Sequence, residues 1–251
     1  MAQARSSVLG EVTRRIPAAA SGSWGVRVAV DGVDGAGKTT FADGMAAVLI
    51  AAGRPTVRAS VDGFHHGRAR RYRRGRTSWQ GFWLDCFDYQ QLQADLLDAF
   101  GPGGSGRYRP ACHDLKTDQL LALPWLQAFA GAVLILDGLF LHREELVDAW
   151  DFSIFLDVPF DVSAARMAAR DGSDPDPSAP SLQRYVRAQP HYLGTCRPDQ
   201  NATVIIDNTD LDRPSSCDSP PAIRRVSLRR RLMPLRGPLA ERPIDSVLSA
   251  D

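Results

Sequence analysis

The chain has 251 residues, of which 44% are hydrophobic, and its 30 basic and 29 acidic side chains leave a formal net charge of +1. This apolar content is enough for one sizeable core, so we expect one domain with insertions rather than two independent domains. The near-neutral charge excludes any argument from overall charge for binding to nucleic acid or to an anionic membrane surface. Only local clusters of charge can carry such a function.

The four cysteines lie at positions 86, 112, 196 and 217, without CxxC spacing. A chain of this size and apolar content does not need a disulfide framework, so we expect reduced thiols in a cytoplasmic protein. The longest apolar stretches fall short of the ~20 residues that a transmembrane helix requires. The N-terminus also lacks the charged, apolar and small-residue order of a signal peptide. We therefore predict a soluble protein with no membrane partner.

Predicted strands and helices alternate along the chain. A short N-terminal helix and a lead-in are expected over residues 1–24, and the main domain over residues 25–212. Aliphatic and β-branched runs predict strands at residues 26–30, 56–61, 133–136, 152–158 and 203–206. Apolar periodicity and stop signals predict helices at residues 8–16, 39–52, 89–100, 144–150, 161–170 and 182–192. This alternation predicts an α/β fold whose parallel sheet is covered by helices on both faces. Residues 213–251 are rich in Pro, Arg and Ser with little periodicity, so we expect a disordered tail.

The strongest motif is a glycine-rich loop at residues 32–39, which fills the pattern GxxxxGK[ST] between a predicted strand and a predicted helix. Glycines allow backbone N–H groups to turn toward a phosphate, and the helix N-terminus adds partial positive charge. Lys38 would reach the β- and γ-phosphates of ATP, and the Thr39 hydroxyl would bind Mg²⁺. The residues expected to hold the nucleotide are Gly32, Asp34, Gly35, Ala36, Gly37, Lys38, Thr39 and Thr40. The alternative is a glycine-rich turn that matches the pattern by chance.

A carboxylate, Asp62, stands at the carboxyl end of the second predicted strand, within the sequence Val-Asp-Gly-Phe-His-His of residues 61–66. Ligands bind at this edge of a doubly wound sheet, and the glycine loop opens on the same edge. Asp62 could accept the proton of an attacking hydroxyl during phosphoryl transfer. The alternatives are that Asp62 only caps the following turn and that the two histidines are only solvated.

A second acid, Asp137, follows the apolar strand at residues 133–136. This is the Walker B arrangement, in which the acid holds Mg²⁺ directly or through water. A simple turn aspartate is the alternative.

Two arginines, Arg166 and Arg170, lie four residues apart on one face of a predicted helix. On a closing segment they could neutralise charge on the transferring phosphoryl group, while the segment excludes water. The alternative is a solvated helix face.

Over residues 26–208 these motifs occur in the order seen in uridine kinases, so the sequence resembles the superfamily of uridine kinase, phosphoribulokinase, bacterial pantothenate kinase and nicotinamide riboside kinase. The resemblance implies the P-loop NTPase fold, with three α/β/α layers and a five-stranded parallel sheet. It also implies an acceptor cap over about residues 64–86 and a lid over about residues 170–195. The activity implied is ATP-dependent phosphorylation of uridine or cytidine to the 5′-monophosphate, with Asp62 as the catalytic base.

The resemblance further implies a set of residues around the acceptor. These are Phe64, His65, Asp85, Asp88, His113 and Asp114. The chain also departs from the family pattern, because Asp137 replaces the usual glutamate and His113 replaces a tyrosine that contacts the nucleoside.

A run of six arginines has no match in uridine kinases. Its members are Arg68, Arg70, Arg71, Arg73, Arg74 and Arg76. A neutral nucleoside does not require them, so they could bind a phosphate or carboxylate on a different acceptor, or form a solvated basic loop. A third alternative is a nucleotide-dependent module that binds nucleic acid through this run and the arginine-rich tail. Few interleaved aromatic residues support it, so nucleic acid is the less favoured partner. The acceptor's identity and the oligomeric state, including a homo-oligomer, stay open.

Overall fold

A computed structural model of the chain describes residues 2–172, 174, 176, 179 and 182–217. The predicted tail beyond residue 217 and part of the predicted lid therefore lie outside the described residues.

In chain order the strands are β1 (Val26–Gly32), β2 (Thr56–Ser60), β3 (Arg107–Tyr108), β4 (His113–Asp114), β5 (Gln119–Leu120), β6 (Leu126–Gln127), β7 (Val133–Gly138), β8 (Phe152–Asp157), β9 (Val204–Asp207) and β10 (Ser215–Cys217). Five of these ten strands in the described residues, β1, β2, β7, β8 and β9, match the five predicted segments closely. Six of the ten form the central sheet, in the order β10-β9-β8-β1-β7-β2. The five strands from β9 to β2 are parallel, which confirms the predicted sheet.

The sixth strand, β10, was not predicted. It pairs antiparallel with β9, with Ser215 opposite Asp207. The sheet therefore extends beyond the predicted domain end at residue 212, and the start of the predicted disordered tail is wrong for residues 215–217. Three residues carry too little periodicity to be recognised, because this strand depends on the backbone of its partner.

The helices cover both faces of the sheet. They are α1 (Ala2–Arg15), α2 (Lys38–Ala51), α3 (Arg68–Arg71), α4 (Trp79–Asp85), α5 (Tyr89–Leu92), α6 (Asp98–Phe100), α7 (Phe160–Asp171), α8 (Gln183–Cys196) and α9 (Pro198–Asn201). A π-helical stretch, Gln93–Leu97, joins α5 to α6, so the helix predicted at residues 89–100 is present. Among the described residues, no helix is both long and apolar enough to cross a membrane.

The helix predicted at residues 144–150 is wrong in extent. Only a single 3₁₀ turn, Val147–Ala149, forms there. A segment this short gains few backbone hydrogen bonds for the cost of starting a helix. The Trp150 indole instead donates to the Leu141 carbonyl at 2.6 Å and closes the connection.

The core lies on both sides of the sheet because successive strand side chains point to opposite faces. In β7, Val133 and Ile135 join the cluster formed with α1 and α2, whereas Leu134 and Leu136 join the cluster formed with α5 and α8. All four side chains are fully buried. Each such side chain contributes about 1.5–3 kcal/mol relative to exposure. The result is the expected three-layer α/β/α arrangement.

The strand register brings three chain segments to one edge of the sheet. Val30 of β1 and Ser60 of β2 both lie opposite Asp137 of β7. The carboxyl ends of these strands are therefore level with one another. The glycine loop, the turn that carries Asp62 and the segment after β7 all begin at this edge, where parallel sheets bind their ligands.

Candidate active site

The glycine loop joins β1 to α2 and has a conformation that only glycine adopts easily. Gly35 and Gly37 have φ angles of +73° and +85°. A Cβ atom on Gly35 would lie 2.4 Å from the Ser163 carbonyl oxygen. The loop thus passes close to the first turn of α7 without room for a side chain.

Side chains hold the carbonyl oxygens of this loop. Lys38 Nζ donates to the carbonyls of Gly32 and Val33 at 3.0 and 2.8 Å. Asn208 Nδ2 donates to the Ala36 carbonyl at 2.7 Å. The N-cap residue of α2 is Gly37, which has no side chain with which to cap the helix. The first N–H groups of α2 are therefore available to an anion, as a phosphate-binding loop requires.

The two predicted Mg²⁺ ligands lie together. Thr39 Oγ1 donates to Asp137 Oδ2 at 2.8 Å, and the Asp137 side chain is buried. The other carboxylate oxygen, Oδ1, accepts from Arg58 Nη2 at 2.9 Å. The sequence reasoning missed Arg58, which also pairs with the exposed Asp43 at 3.0 Å. Oδ2 is therefore the carboxylate oxygen that faces the loop.

Within the described ranges, no group of three or more His, Cys, Asp or Glu side chains could hold a metal ion. A hydroxyl and a carboxylate at one loop are nevertheless the oxygen donors that Mg²⁺ accepts alongside phosphate oxygens and water. Thr39 and Asp137 fit such a site.

The proposed base, Asp62, lies in the 3₁₀ turn Val61–Phe64 that follows β2. Its backbone is held at both ends, because Ser60 Oγ accepts from Asp62 N at 3.3 Å and His65 Nδ1 donates to the Asp62 carbonyl at 2.8 Å. The turn packs tightly on the end of β7, since a Cβ on Gly138 would lie 2.1 Å from Val61. The Asp62 carboxylate is exposed and makes no hydrogen bond to any described residue.

Several charges converge on Asp34 of the glycine loop. Burial raises the pKa of the Asp34 carboxyl, Lys38 lowers it, Asp62 raises it further and Arg170 lowers it. Gln189 Nε2 of α8 donates to Asp34 Oδ2 at 3.1 Å. The charges of the predicted base, the loop lysine and one predicted lid arginine therefore all act on the Asp34 carboxyl.

The two predicted lid arginines have different surroundings. Arg166 Nη2 donates to the carbonyls of Asn208 and Thr209 at 3.0 and 2.8 Å, and its Nη1 reaches the Gly35 carbonyl at 3.4 Å. Desolvation lowers the pKa of Arg166. Arg170 is 67% exposed in its side chain and pairs with Asp171. Arg166 therefore braces the glycine loop, and Arg170 is the arginine whose charge acts on Asp34.

Two of the residues implied for the acceptor site lie beside Asp62. Phe64 is fully buried, and the His65 ring packs on Phe87 with ring centres 4.5 Å apart. Desolvation lowers the pKa of His65, which favours its neutral form. The side chains of Phe64, His65 and Phe87 are all buried, so they pack inside the protein rather than on an open surface.

Asp85, in contrast, is occupied by the arginine run. Its side chain is 1% exposed and accepts from Arg73 Nη2 at 2.6 Å and from Arg74 Nε at 3.0 Å. The contacts of Asp85 therefore anchor two of the six arginines. They also leave these two arginines less available to nucleic acid.

The remaining three residues of the implied acceptor set have local partners. Asp88 Oδ1 accepts from Gln91 N at 3.0 Å at the start of α5. Asp114 accepts from the backbone N–H groups of its own turn, which lowers the pKa of Asp114. His113 Nε2 lies 3.2 Å from Asp118 Oδ1, but neither ring nitrogen makes an aligned hydrogen bond to the described residues.

A buried polar cluster behind the glycine loop was missed. Asp31 Oδ2 accepts from His142 Nδ1 at 2.7 Å and from the Tyr192 hydroxyl, and all three side chains are buried. Burial and the Asp31 carboxylate raise the pKa of Tyr192 well above its usual value, so the phenol is a donor. The cluster joins the end of β1, the segment after β7 and helix α8.

Arg184 of α8 was also missed, although the sequence contains a signal for it. Arg184, Ala188 and Tyr192 are all buried and recur every four residues. An arginine within the apolar stripe of a helix is unusual, and that position could have been singled out.

Residues 27–210 match the family model described as "Phosphoribulokinase / Uridine kinase family". A solved structure from Bacillus stearothermophilus, described as a possible uridine kinase, is similar with a TM-score of 0.62 and 22% identity, over 81% of this chain and 97% of that one. Another, described as a fructose transport system kinase from Silicibacter sp. TM1040, has a TM-score of 0.53 and 25% identity, over 74% of this chain and 94% of that one.

No curated protein matches the sequence. The first of the two solved structures supports the fold alone, whereas the family match spans most of the chain. The protein therefore belongs to the phosphoribulokinase/uridine kinase family, and it is a phosphotransferase that acts on a hydroxyl group.

Proposed function

We propose that this protein transfers the γ-phosphoryl group of ATP to a hydroxyl group of a small-molecule acceptor, with Asp62 as the general base. The observation that carries the proposal is the strand register, which sets Val30, Ser60 and Asp137 side by side. The glycine loop, the Asp62 turn and the Mg²⁺ ligands thereby share one edge of the sheet. The Asp62 carboxylate at this edge is exposed and makes no hydrogen bond to the described residues, so it is available to take a proton.

The transfer proceeds by attack of the acceptor oxygen on the γ-phosphorus of ATP. The new O–P bond forms while the bond from the γ-phosphorus to the bridging oxygen breaks, so ADP leaves. The hydroxyl proton passes to the Asp62 carboxylate. Lys38, now bonded to two loop carbonyls, is the cation placed to exchange them for phosphate oxygens. Mg²⁺ held by Thr39 and Asp137 would neutralise charge on the β- and γ-phosphates.

Residues 170–195 would act as the lid and residues 64–86 as the acceptor cap. Phe82 of α4 packs on Tyr185 of α8, with ring centres 4.9 Å apart. Gln189 of the same helix bonds to the glycine loop through Asp34. Helix α8 therefore contacts both the cap and the nucleotide loop. Closure of such a segment excludes water from the transferring phosphoryl group.

Uridine and cytidine are the first acceptors to test, because the order of motifs resembles uridine kinases. A sugar is the second candidate, since a relative 25% identical to this chain is described as a fructose transport system kinase. The cytoplasm, where thiols stay reduced, is the proposed location, because the cysteines lack CxxC spacing and a chain of this size and apolar content does not need a disulfide framework.

The decisive variant is Asp62→Asn, which removes the proton acceptor and preserves the shape. We expect acceptor-stimulated ADP release to fall by about 10²–10⁴-fold, with the affinity for ATP unchanged. Glu11→Gln is the matched control, because it removes an exposed carboxylate on α1 that lies outside the proposed transfer site. Full turnover by Asp62→Asn would rule out the base, and loss of ATP affinity would give Asp62 a different role.

A further inference from the structure

Arg71 and Arg184 are buried arginines that lie far apart in sequence and close together in the fold. Arg71, at the end of α3, is 6% exposed, and Arg184, in the first turn of α8, is 7% exposed. Both guanidinium groups lie near the Tyr72 ring, at 5.3 and 5.0 Å from its centre. Arginine is seldom buried without a partner of opposite charge.

The arginines around the Tyr72 ring carry more positive charge than their carboxylate partners in the described residues neutralise. Arg76 adds a third guanidinium 5.1 Å from the same ring, so each pair of cations lies within roughly 10 Å, near the screening length of physiological salt. Asp118 pairs with Arg71 at 3.1 Å. Across the described residues, Arg184 has no carboxylate partner, and its hydrogen bond goes to the Arg76 carbonyl at 3.1 Å.

Both arginines also keep an unused donor. The Nε atoms of Arg71 and Arg184 are buried and lack a hydrogen-bond partner in the described part of the chain. A buried donor without an acceptor costs about 1–3 kcal/mol, so native proteins rarely leave one unpaired. Two such donors in one cluster indicate that an acceptor of hydrogen bonds binds there.

The cluster lies beside the proposed transfer site. Burial raises the pKa of the Cys86 thiol to about 12. The charges of Arg184, Arg71, Asp62 and Asp34 also act on this pKa, with smaller effects. His65 likewise feels both Asp62 and Arg71. Helix α8, which carries Arg184, also contacts the glycine loop of the proposed transfer site, because Gln189 Nε2 donates to Asp34 Oδ2 at 3.1 Å.

Arg70, Arg73 and Arg74 of the arginine run are more exposed than Arg71 and Arg184. Arg73 and Arg74 both pair with the buried Asp85. Arg70 is exposed on the same short helix as Arg71. Only part of the run therefore belongs to this cluster, and the essential partner, Arg184, comes from α8.

We propose that Arg71 and Arg184 form a subsite for an oxyanion carried by the acceptor, so that the substrate is a hydroxyl compound that already bears a phosphate or a carboxylate. The planar fork of arginine matches both groups through paired N–H donors. Arg76 adds charge from the exposed side. This assignment rests on the proposed function, because it places the anion at one end of the acceptor and the reacting hydroxyl near Asp62.

The test compares matched neutral and anionic acceptors with the full-length protein, ATP and Mg²⁺. The pairs are uridine with uridine 3′-monophosphate, fructose with fructose 6-phosphate, and glycerol with glycerate. We expect the anionic member of at least one pair to stimulate ADP release. A response to a phosphate ester or to glycerate then shows whether the anion on the acceptor is a phosphate or a carboxylate. In Arg184→Gln and Arg71→Gln the KM for that acceptor should rise roughly 30-fold or more, with the KM for ATP within about twofold.

The controls are Arg70→Gln on α3 and Arg187→Gln on α8, since both side chains are exposed. They should leave the KM of the acceptor unchanged. Arg184→Lys retains charge without the fork, so its KM should lie between those of the wild type and Arg184→Gln. Melting temperatures of all variants show which of them fold. If Arg71→Gln does not fold, the KM of Arg184→Gln alone tests the subsite.

A binding measurement separates this inference from the proposed function. Inorganic phosphate is titrated into the ADP-saturated protein, in which the glycine loop is already occupied, and the melting temperature is followed. Stabilisation that is lost in Arg184→Gln supports the subsite even if no acceptor is phosphorylated, in which case the proposed function fails alone. Equal stabilisation in both proteins, or none in the wild type, overturns the subsite. Turnover of neutral acceptors only, with unchanged KM in Arg184→Gln, also overturns it and leaves the kinase reaction intact.

Discussion

The lysine of the glycine loop and the buried arginines at the cap segment of residues 64–86 differ in how far along the chain their partners lie. Lys38 bonds to carbonyls five and six residues away. In the cap, Arg71 pairs with Asp118 at a separation of 47 residues, and Arg184 bonds to the Arg76 carbonyl 108 residues away. Lys38 is therefore held within the motif that identifies it, although Asp34 and Ala36 of the same loop bond to distant residues. Arg71 and Arg184 are held only by contacts that form on folding. The role of Lys38 can therefore be recognised in a sequence, whereas the roles of Arg71 and Arg184 cannot.

The largest effect should come from the cap. The double change Arg73→Ala and Arg74→Ala leaves Asp85, which is 1% exposed, without its two guanidinium partners. We expect a loss of about 3–5 kcal/mol in the free energy of unfolding, measured in urea. Asp85→Asn should cost only about 1 kcal/mol, because both arginines are partly exposed and can be hydrated.

Arg70→Ala is the control for that experiment, since Arg70 is exposed on the neighbouring helix. Equal losses for Asp85→Asn and for the double arginine variant would contradict the picture of a carboxylate that anchors the run. An increase in the KM of the acceptor for Asp85→Asn, without a loss of stability, would return Asp85 to the acceptor site.

The glycine loop should respond through ligand binding rather than through ion pairs. Gly35→Ala places a Cβ 2.4 Å from the Ser163 carbonyl and keeps a positive φ, so the loop must shift. We expect the affinity for ATP, measured by calorimetry, to fall about 30-fold to 100-fold, since a displaced loop loses bonds to the phosphates. Gly53→Ala has a similar φ of +77° but no atom within 4 Å of the added Cβ. It should lose about 1 kcal/mol of stability and no ATP affinity.

The smallest effect is a dependence of stability on pH. The pKa of Asp34 is raised, so on titration from acid the unfolded chain loses this proton first, near pH 4. Between the unfolded and the folded pKa the native state binds more protons, and its stability falls as pH rises. Asp34→Asn lacks this penalty, so its advantage over the wild type should be absent below about pH 4 and grow above it. Urea midpoints measured across that range test this. Parallel curves for the two proteins would show that burial of Asp34 carries no cost.

Sequence periodicity predicted the parallel strands, and with them the common edge of the glycine loop, Asp62 and Asp137. This succeeded because buried parallel strands are continuous apolar runs, and the residues that follow them meet at one edge. It did not predict that Arg58 pairs with Asp137, because Arg58 lies within a strand whose register is set only on folding. The residues implied for the acceptor site cannot be recognised as easily as the glycine loop. Asp88 and Asp114 make local turn contacts, which short polar side chains also make in ordinary loops.

Helix α8 contains a proline, Pro190, two residues before Tyr192. The Tyr192 hydroxyl donates to the buried Asp31 at the end of β1, and pulling it away would leave a carboxylate without one of its donors. Proline has no N–H, so the backbone hydrogen-bond ladder of α8 is already interrupted at that point. The helix therefore consists of a fixed half, which is part of the scaffold, and a leading half, which carries Arg184. Pro190 therefore marks the point in α8 where one backbone bond is missing between the turn anchored on Asp31 and the turns that contact the cap.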